Sequence, residues 1–229
     1  MRYNEFNQPI GEALPDFSVG KRPDVNVLEG HFCRLEKLSF AKHHNDLFAV
    51  YSSPLENWTY LPLAPFIQKS DFDQFLQLLE HSQDPYYLAI IDKQTQQAVG
   101  TFALMRIDPN NRVIEVGWVI YSPQLQKTRI ATEAQFLLAQ YVFEDLKYRR
   151  YEWKCDSLNA PSRKAALRLG FTYEGTFRQA QVYKGRTRDT AWFSMLDSEW
   201  LSQKKRFQNW LSDSNFDEHG IQKTSLSVF

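Results

Sequence analysis

Several common protein classes are excluded by what this chain has little of. Its 229 residues include only two cysteines, Cys33 and Cys155, far apart and in no CxxC pair. A disulfide framework is therefore not indicated, and a reduced cytosolic chain is expected. Of five histidines, only His43 and His44 are neighbours. Adjacent helical residues point in different directions, so the pair is a poor chelate and no metal is expected. No stretch is apolar for the ~18 residues a bilayer span requires. Met1-Arg2-Tyr3-Asn4-Glu5 lacks the apolar run of a secretory leader. The expectation is a cytoplasmic location with no membrane partner. An excess of one charge is also missing: 27 Lys plus Arg face 27 Asp plus Glu. That balance removes the electrostatic reason to expect nucleic acid as a partner.

What is present is enough for one well-filled core, with 43% hydrophobic and 15% aromatic residues. Residues 1–27 carry Pro9, Gly11, Pro15, Gly20 and Pro23, a spacing of breakers that predicts an irregular arm. A first strand is expected over 28–38. Helices are expected over 41–51 and from 71, with Ser70 or Asp71 as N-cap and Phe72, Phe75, Leu76 and Leu79 on one face. Three apolar runs, 86–91, 98–107 and 113–121, are separated by short polar turns, the pattern of an antiparallel meander. The period then becomes helical over 132–147 and returns to strand over 148–155. That strand–helix–strand unit predicts a parallel pair with a right-handed crossover. Asn159, Pro161 and Gly170 punctuate a short helix. Strands over 171–177 and 190–196, joined by a loop containing Tyr183-Lys184-Gly185-Arg186, precede a helix from about Glu199. The polar stretch from Asp213 onward is expected to be mobile.

One segment indicates a ligand. Gln126-Lys127-Thr128-Arg129-Ile130-Ala131-Thr132 links the third meander strand to the next helix. Backbone N–H groups at a helix N-terminus suit a phosphate chain, and Lys127 and Arg129 add positive charge there.

With Asn159-x-x-Ser162, Leu169-Gly170-Phe171, Glu174-Gly175 and Ser194-Met195-Leu196 through Glu199-Trp200, this order of motifs resembles the GCN5-related N-acetyltransferase (GNAT) superfamily. Its ribosomal-protein-alanine acetyltransferase-like branch is the nearest match. The resemblance spans roughly residues 28–200, after the arm and before a C-terminal helix and tail over 201–229. It implies an α/β fold: a mixed sheet with an antiparallel N-terminal meander, a central splayed parallel strand pair, and helices on both faces. It also implies acetyl transfer from acetyl-CoA to a primary amine, either a protein N-terminus or a small-molecule amine. The amides of Gln126, Lys127, Thr128, Arg129, Ile130, Ala131 and Thr132 would hold the pyrophosphate. The backbone near Val119 and Ile120 would bond the pantetheine arm, which enters between the splayed strands. Asn159 would cap its helix and also bond the pantetheine amide, and capping alone is an equal reading. Ser162 matches the serine that hydrogen-bonds the sulfur in the ribosomal-protein branch, or it simply satisfies its helix's first turn.

Three positions depart from the pattern. Arg129 stands where the loop's first Gly is usual, with a guanidinium expected to contact a phosphate. Ala166 stands where many members have a Tyr acid. Gln181 follows Arg178-Gln179-Ala180, where the branch often has a Glu. Glu115, a carboxylate in an apolar strand, is the candidate base, because burial raises a carboxyl pKa toward a useful range. The competing readings are a Glu on a solvent-facing strand face and one that holds a neighbouring cation. Trp118, Tyr183 and Asp189 are candidates for the amine pocket, since aromatics with an acid suit a cation, whereas Trp153 reads as core. An acyl-CoA-sensing module without catalysis is the alternative reading, and a plain scaffold a weaker one. Homodimerisation is left open.

Overall fold

The computed structural model describes residues 1–229. The arm is irregular apart from a small ribbon, β1 (Arg2–Tyr3) paired with β2 (Pro9–Ile10). It is nonetheless fastened to the body. Gly20 N–H donates to Pro109 O (2.9 Å), Tyr148 Oη to Lys21 O (3.0 Å) and Tyr86 Oη to Val25 O (2.8 Å).

The first expected strand divides into β3 (Val27–Glu29) and β4 (Cys33–Lys37). The chain reverses between them because a buried carboxylate organises the turn. Glu133 accepts the amides of His31, Phe32 and Cys33 at 2.8, 2.7 and 2.7 Å. A Cβ on Gly30 would lie 2.8 Å from the Glu133 side chain, so the turn has room only for glycine.

Next come α1 (Phe40–Tyr51) and α2 (Lys69–His81). Phe72 and Leu76 are buried on α2, on the expected face, but the helix begins earlier than its expected cap. Gln68 is the N-cap, without a side-chain bond, and Asp71 falls in the first turn.

The meander is β5 (Tyr86–Asp92), β6 (Ala98–Asp108) and β7 (Val113–Tyr121). Then follow α3 (Arg129–Gln140), a wider turn over Tyr141–Asp145, β8 (Arg150–Asp156) and α4 (Ala160–Arg168). The chain continues through β9 (Thr172–Tyr183), β10 (Arg186–Leu196) and α5 (Asp197–Leu211). The last two strands are longer than expected. They meet in a tight turn at Lys184-Gly185, where both φ angles are positive (50° and 69°), as a two-residue hairpin with strand twist requires.

The main sheet has the order β3-β4-β5-β6-β7-β8-β10-β9, antiparallel except for the β7–β8 pair. Helices cover both faces. A cluster of 33 buried residues joins the sheet to α3, α4 and α5, and a second of 13 joins it to α1 and α2. Burial of each large apolar side chain contributes about 1.5–3 kcal/mol, so these two layers hold the sheet between them.

The polar C-terminal stretch does not behave as its composition suggests. Leu226 is fully buried in the larger cluster. Asn215 Nδ2 donates to Trp210 O and Thr224 O, each at 3.1 Å, and Phe216 packs edge-on against Trp210. One buried amide and two anchoring apolar groups outweigh the polarity of their neighbours.

Candidate active site

The site begins where two parallel strands separate. Pairing of β7 with β8 runs from Val113↔Arg150 to Val116↔Trp153 and stops there. Beyond it, β8 pairs with β10, while β7 from Gly117 onward has only β6 beside it. A bulge sharpens the divergence. Gly117 faces Ala103 and Ile120 faces Thr101, so β7 has one extra residue, and Trp118 takes φ +50°. The edge of β7 that carries Val119 and Ile120 therefore has no strand partner on the side of the fork.

After β7 the chain enters the turn expected to bind phosphate. Gln126 and Lys127 are exposed, and Thr128 to Ile130 are half-exposed. Thr128 is the N-cap of α3, its Oγ1 accepting the amide of Ala131 (3.1 Å). The amides of Gln126 and Thr128 bond within the turn. Those of Lys127, Arg129 and Ile130 have no acceptor in the chain. Three open donors at a helix N-terminus fit an anionic diphosphate. The positive φ that a loop glycine would supply falls on Lys127 (φ +62°), while Arg129 is ordinary helix.

The Arg129 side chain is not where the sequence reading puts it. Its guanidinium stacks between Phe32 and Phe216, 4.0 Å from each ring centroid. It donates to Leu211 O and to Asp213 Oδ1 (2.8 Å). These partners draw its charge away from a phosphate and toward the C-terminal tail.

On β8, period-two alternation sends Tyr151, Trp153 and Cys155 to the α3–α4 face and Arg150, Glu152, Lys154 and Asp156 to the other. Trp153 is core, as expected, at 6% exposure. Its Nε1 donates to Ser162 Oγ (3.0 Å). Asn159 caps α4 by accepting the Ser162 amide on Oδ1 (3.1 Å). The Ser162 hydroxyl, held by the indole, keeps its own proton to donate. Burial pushes the nearby Cys155 thiol up.

Glu115 lies on the opposite face, at the last rung but one before the fork. It is 6% exposed. Its Oε2 faces Lys154 Nζ (2.9 Å) and Arg106 Nε (3.4 Å), while Oε1 has no bonded partner. Burial holds its pKa above the usual carboxylate range, with Lys154 pulling it back. Lys154 is a residue the sequence reading missed. Its side chain is 6% exposed, 2.6 Å from Glu152 and 3.6 Å from the Trp192 ring centroid. The network continues from Glu152 to Arg150 (2.7 Å), from Arg150 to Glu174 (2.5 Å) and from Glu174 to Ser194 Oγ (2.7 Å). The alternating charges of 150–156 were the readable sign of it; which cation would meet Glu115 was not.

The β9–β10 hairpin reaches over this face. Lys184 Nζ donates to Trp58 O (2.7 Å), and Arg186 donates to Thr59 O. Tyr183 Oη donates to Asp156 Oδ2 (2.7 Å). Tyr183 thus sits on the charged face, and half-buried Trp118 packs into the α1–α2 layer on that same side, 6.5 Å from Tyr87. Asp189 does not join them. Its Oδ1 accepts the amide of Gln179 (2.7 Å, φ +49°), fixing the irregularity where β9 and β10 slip register.

A forked mixed sheet, an open amide turn leading into a helix, and a hydroxyl and a carboxylate on opposite faces of the fork fit a transferase for a phosphate-bearing acyl carrier. The sequence model of the acetyltransferase (GNAT) domain matches residues 34–172, and the chain belongs to that family of acetyltransferases. The crystal structure of a GCN5-related N-acetyltransferase from Brucella melitensis matches with a TM-score of 0.92 at 46% identity, covering 94% of this chain and 98% of that one. The uncharacterized N-acetyltransferase p20 of Bacillus licheniformis is 32% identical over 158 residues, 68% of this chain and 88% of its own. The ribosomal-protein-serine acetyltransferase of Escherichia coli (strain K12) is 34% identical over 86 residues, 37% of this chain and 47% of its own. The resemblance seen in the motifs is thus borne out at the level of fold and family.

Proposed function

We propose that the chain transfers the acetyl group of acetyl-CoA to a primary amine, a protein N-terminus or a small-molecule amine. The observation that carries this is the placement of Glu115 and Ser162 on opposite faces of the fork where β7 and β8 part. Acetyl-CoA supplies an activated thioester; the chain supplies position and proton traffic. The open amides of Lys127, Arg129 and Ile130 hold the diphosphate, and the unpaired edge of β7 holds the arm. A peptide α-amine has pKa about 7.7–8.0 and a lysine about 10.4, so the acceptor must lose a proton before it attacks. Glu115 Oε1 is free to accept that proton, directly or through water, while Oε2 stays fixed on Lys154. On the other face Ser162 Oγ, oriented by Trp153, donates a hydrogen bond to the departing sulfur. Trp118 and Tyr183 border the side from which an amine enters.

A thiol-release assay over a panel of peptides and small amines tests this. At least one amine should turn over, and Glu115→Gln should lower kcat/KM by about 10²–10⁴-fold, the usual worth of a general base. The pH profile carries a sign. The base must be ionised, and burial raises its pKa, so wild-type activity falls with acid at a pH above the ordinary carboxylate range. The variant lacks that limb. CoA binding with no turnover on any amine would leave the sensing module as the function.

A further inference from the structure

The cations near the amide turn differ in one respect. Arg129 has Asp213, and Lys127, exposed on the turn, is hydrated. Arg168, the last residue of α4, and Arg206, on α5, have no acid. Arg168 Nη1 donates to Thr132 Oγ1 (3.2 Å), and Arg206 Nη2 donates to Arg168 O (2.8 Å). Arg206 Nε is buried without an acceptor. Arg168 lies 4.9 Å over the Trp210 ring. Burial pushes both guanidiniums below the ordinary arginine range, and Arg168 also depresses Arg206. An arginine stays charged in a protein. Two adjacent, partly desolvated positive charges with no counter-ion are costly unless an anion completes them.

Their location says which anion. Thr132 lies on α3 within about one turn, roughly 5 Å along the axis, of the open amides of Arg129 and Ile130. A ligand with its diphosphate on those amides can bring a second phosphate, attached nearby, to the guanidiniums. CoA has such a group: a phosphate monoester on the same ribose that carries the diphosphate. We propose that Arg168 and Arg206 seat the ribose 3′-phosphate of CoA, with Thr132 and Trp210 holding the Arg168 fork in place. The proposal rests on the acetyl-CoA reading above. A guanidinium fork matches phosphate oxygens in pairs, which a lysine cannot do.

Calorimetric titration of the full chain with CoA and with 3′-dephospho-CoA tests this without turnover. Wild type should bind CoA about ten- to hundredfold more tightly, the worth of one or two charge-assisted bonds. In R168Q/R206Q the two ligands should bind alike, at the wild-type affinity for 3′-dephospho-CoA. R168Q alone, with Arg206 in place, carries the test if the double variant does not fold. Equal binding of both ligands by wild type overturns the proposal and leaves the acetyl-CoA reading standing. So does a preference for CoA that survives in the variants. Binding of neither ligand by wild type overturns both.

Discussion

Arg129 and Phe216, 87 positions apart in sequence, stack at 4.0 Å and tie the first turn of α3 to the C-terminal tail. On the other side of the guanidinium lies Phe32, and its N–H groups reach Leu211 O and Asp213. Removing it deletes a charged hydrogen bond to a carbonyl, worth about 1.5–3 kcal/mol, and two cation–π contacts of about 0.5–1 kcal/mol each. The Asp213 contact adds little, because that carboxylate is 80% exposed. Arg129→Ala should therefore cost about 2.5–5 kcal/mol, read in a thermal melt, and open residues 212–229 to limited proteolysis. A melt and digestion pattern like those of wild type would show that the tail is held by other means.

Ser162 has two tasks that one variant separates. Ser162→Ala leaves Trp153 Nε1 without its acceptor, a loss of about 1–3 kcal/mol in stability. If the hydroxyl also serves the sulfur, kcat falls by about tenfold or more while CoA affinity changes less. Destabilisation with unaltered kcat would reduce Ser162 to a support for the indole.

Glu133 is the centre of the turn between β3 and β4. Both its oxygens accept amides, one from His31 and two from Phe32 and Cys33. In Glu133→Gln one of those positions becomes an NH2 that faces an N–H donor. A loss of about 2–4 kcal/mol is expected. It should show as a lower urea midpoint and as faster hydrogen exchange at residues 31–33. An unchanged midpoint would mean that the turn is set by Gly30 and strand pairing alone.

His43 makes stability depend on pH. It is 3% exposed, and burial lowers its pKa, against hydrogen bonding and charge from Glu36. Lys42 also lowers it, and Asp46 opposes that. Nδ1 accepts the Ser39 amide (3.1 Å), so the neutral ring carries its proton on Nε2 toward Glu36. A base with a depressed folded pKa contributes stability that is present above its unfolded pKa, about 6.5, and is lost as pH falls through the window below that value. Denaturant titrations from pH 7.5 to 5.5 should show this slope, of at most about 1.4 kcal/mol per pH unit. His43→Gln should flatten it. The same slope in the variant would assign it to another group.

Local chemistry was legible in the residues themselves. The Thr128 to Thr132 turn, the Asn159 cap answered by the Ser162 amide, and Gly170 closing α4 with φ +96° each involve partners a few positions apart. The meander was legible for the same reason, since alternation and polar turns act within one hairpin. The packing of Asp213 onward was not, because Leu226 and Asn215 are anchored by residues that a composition count does not weigh.

The sequence by itself determined the family, the caps of α3 and α4 and the strand–helix–strand unit, because caps, breakers and periodicity act over a single turn. Tertiary structure decided which charges meet. Lys154 came to Glu115 from 39 residues away, Arg129 reached the C-terminal tail, and Asp189 settled on a strand irregularity. Such pairings follow from strand order and register, above all from β10 lying between β8 and β9, and those are set by how the two apolar layers close on the sheet.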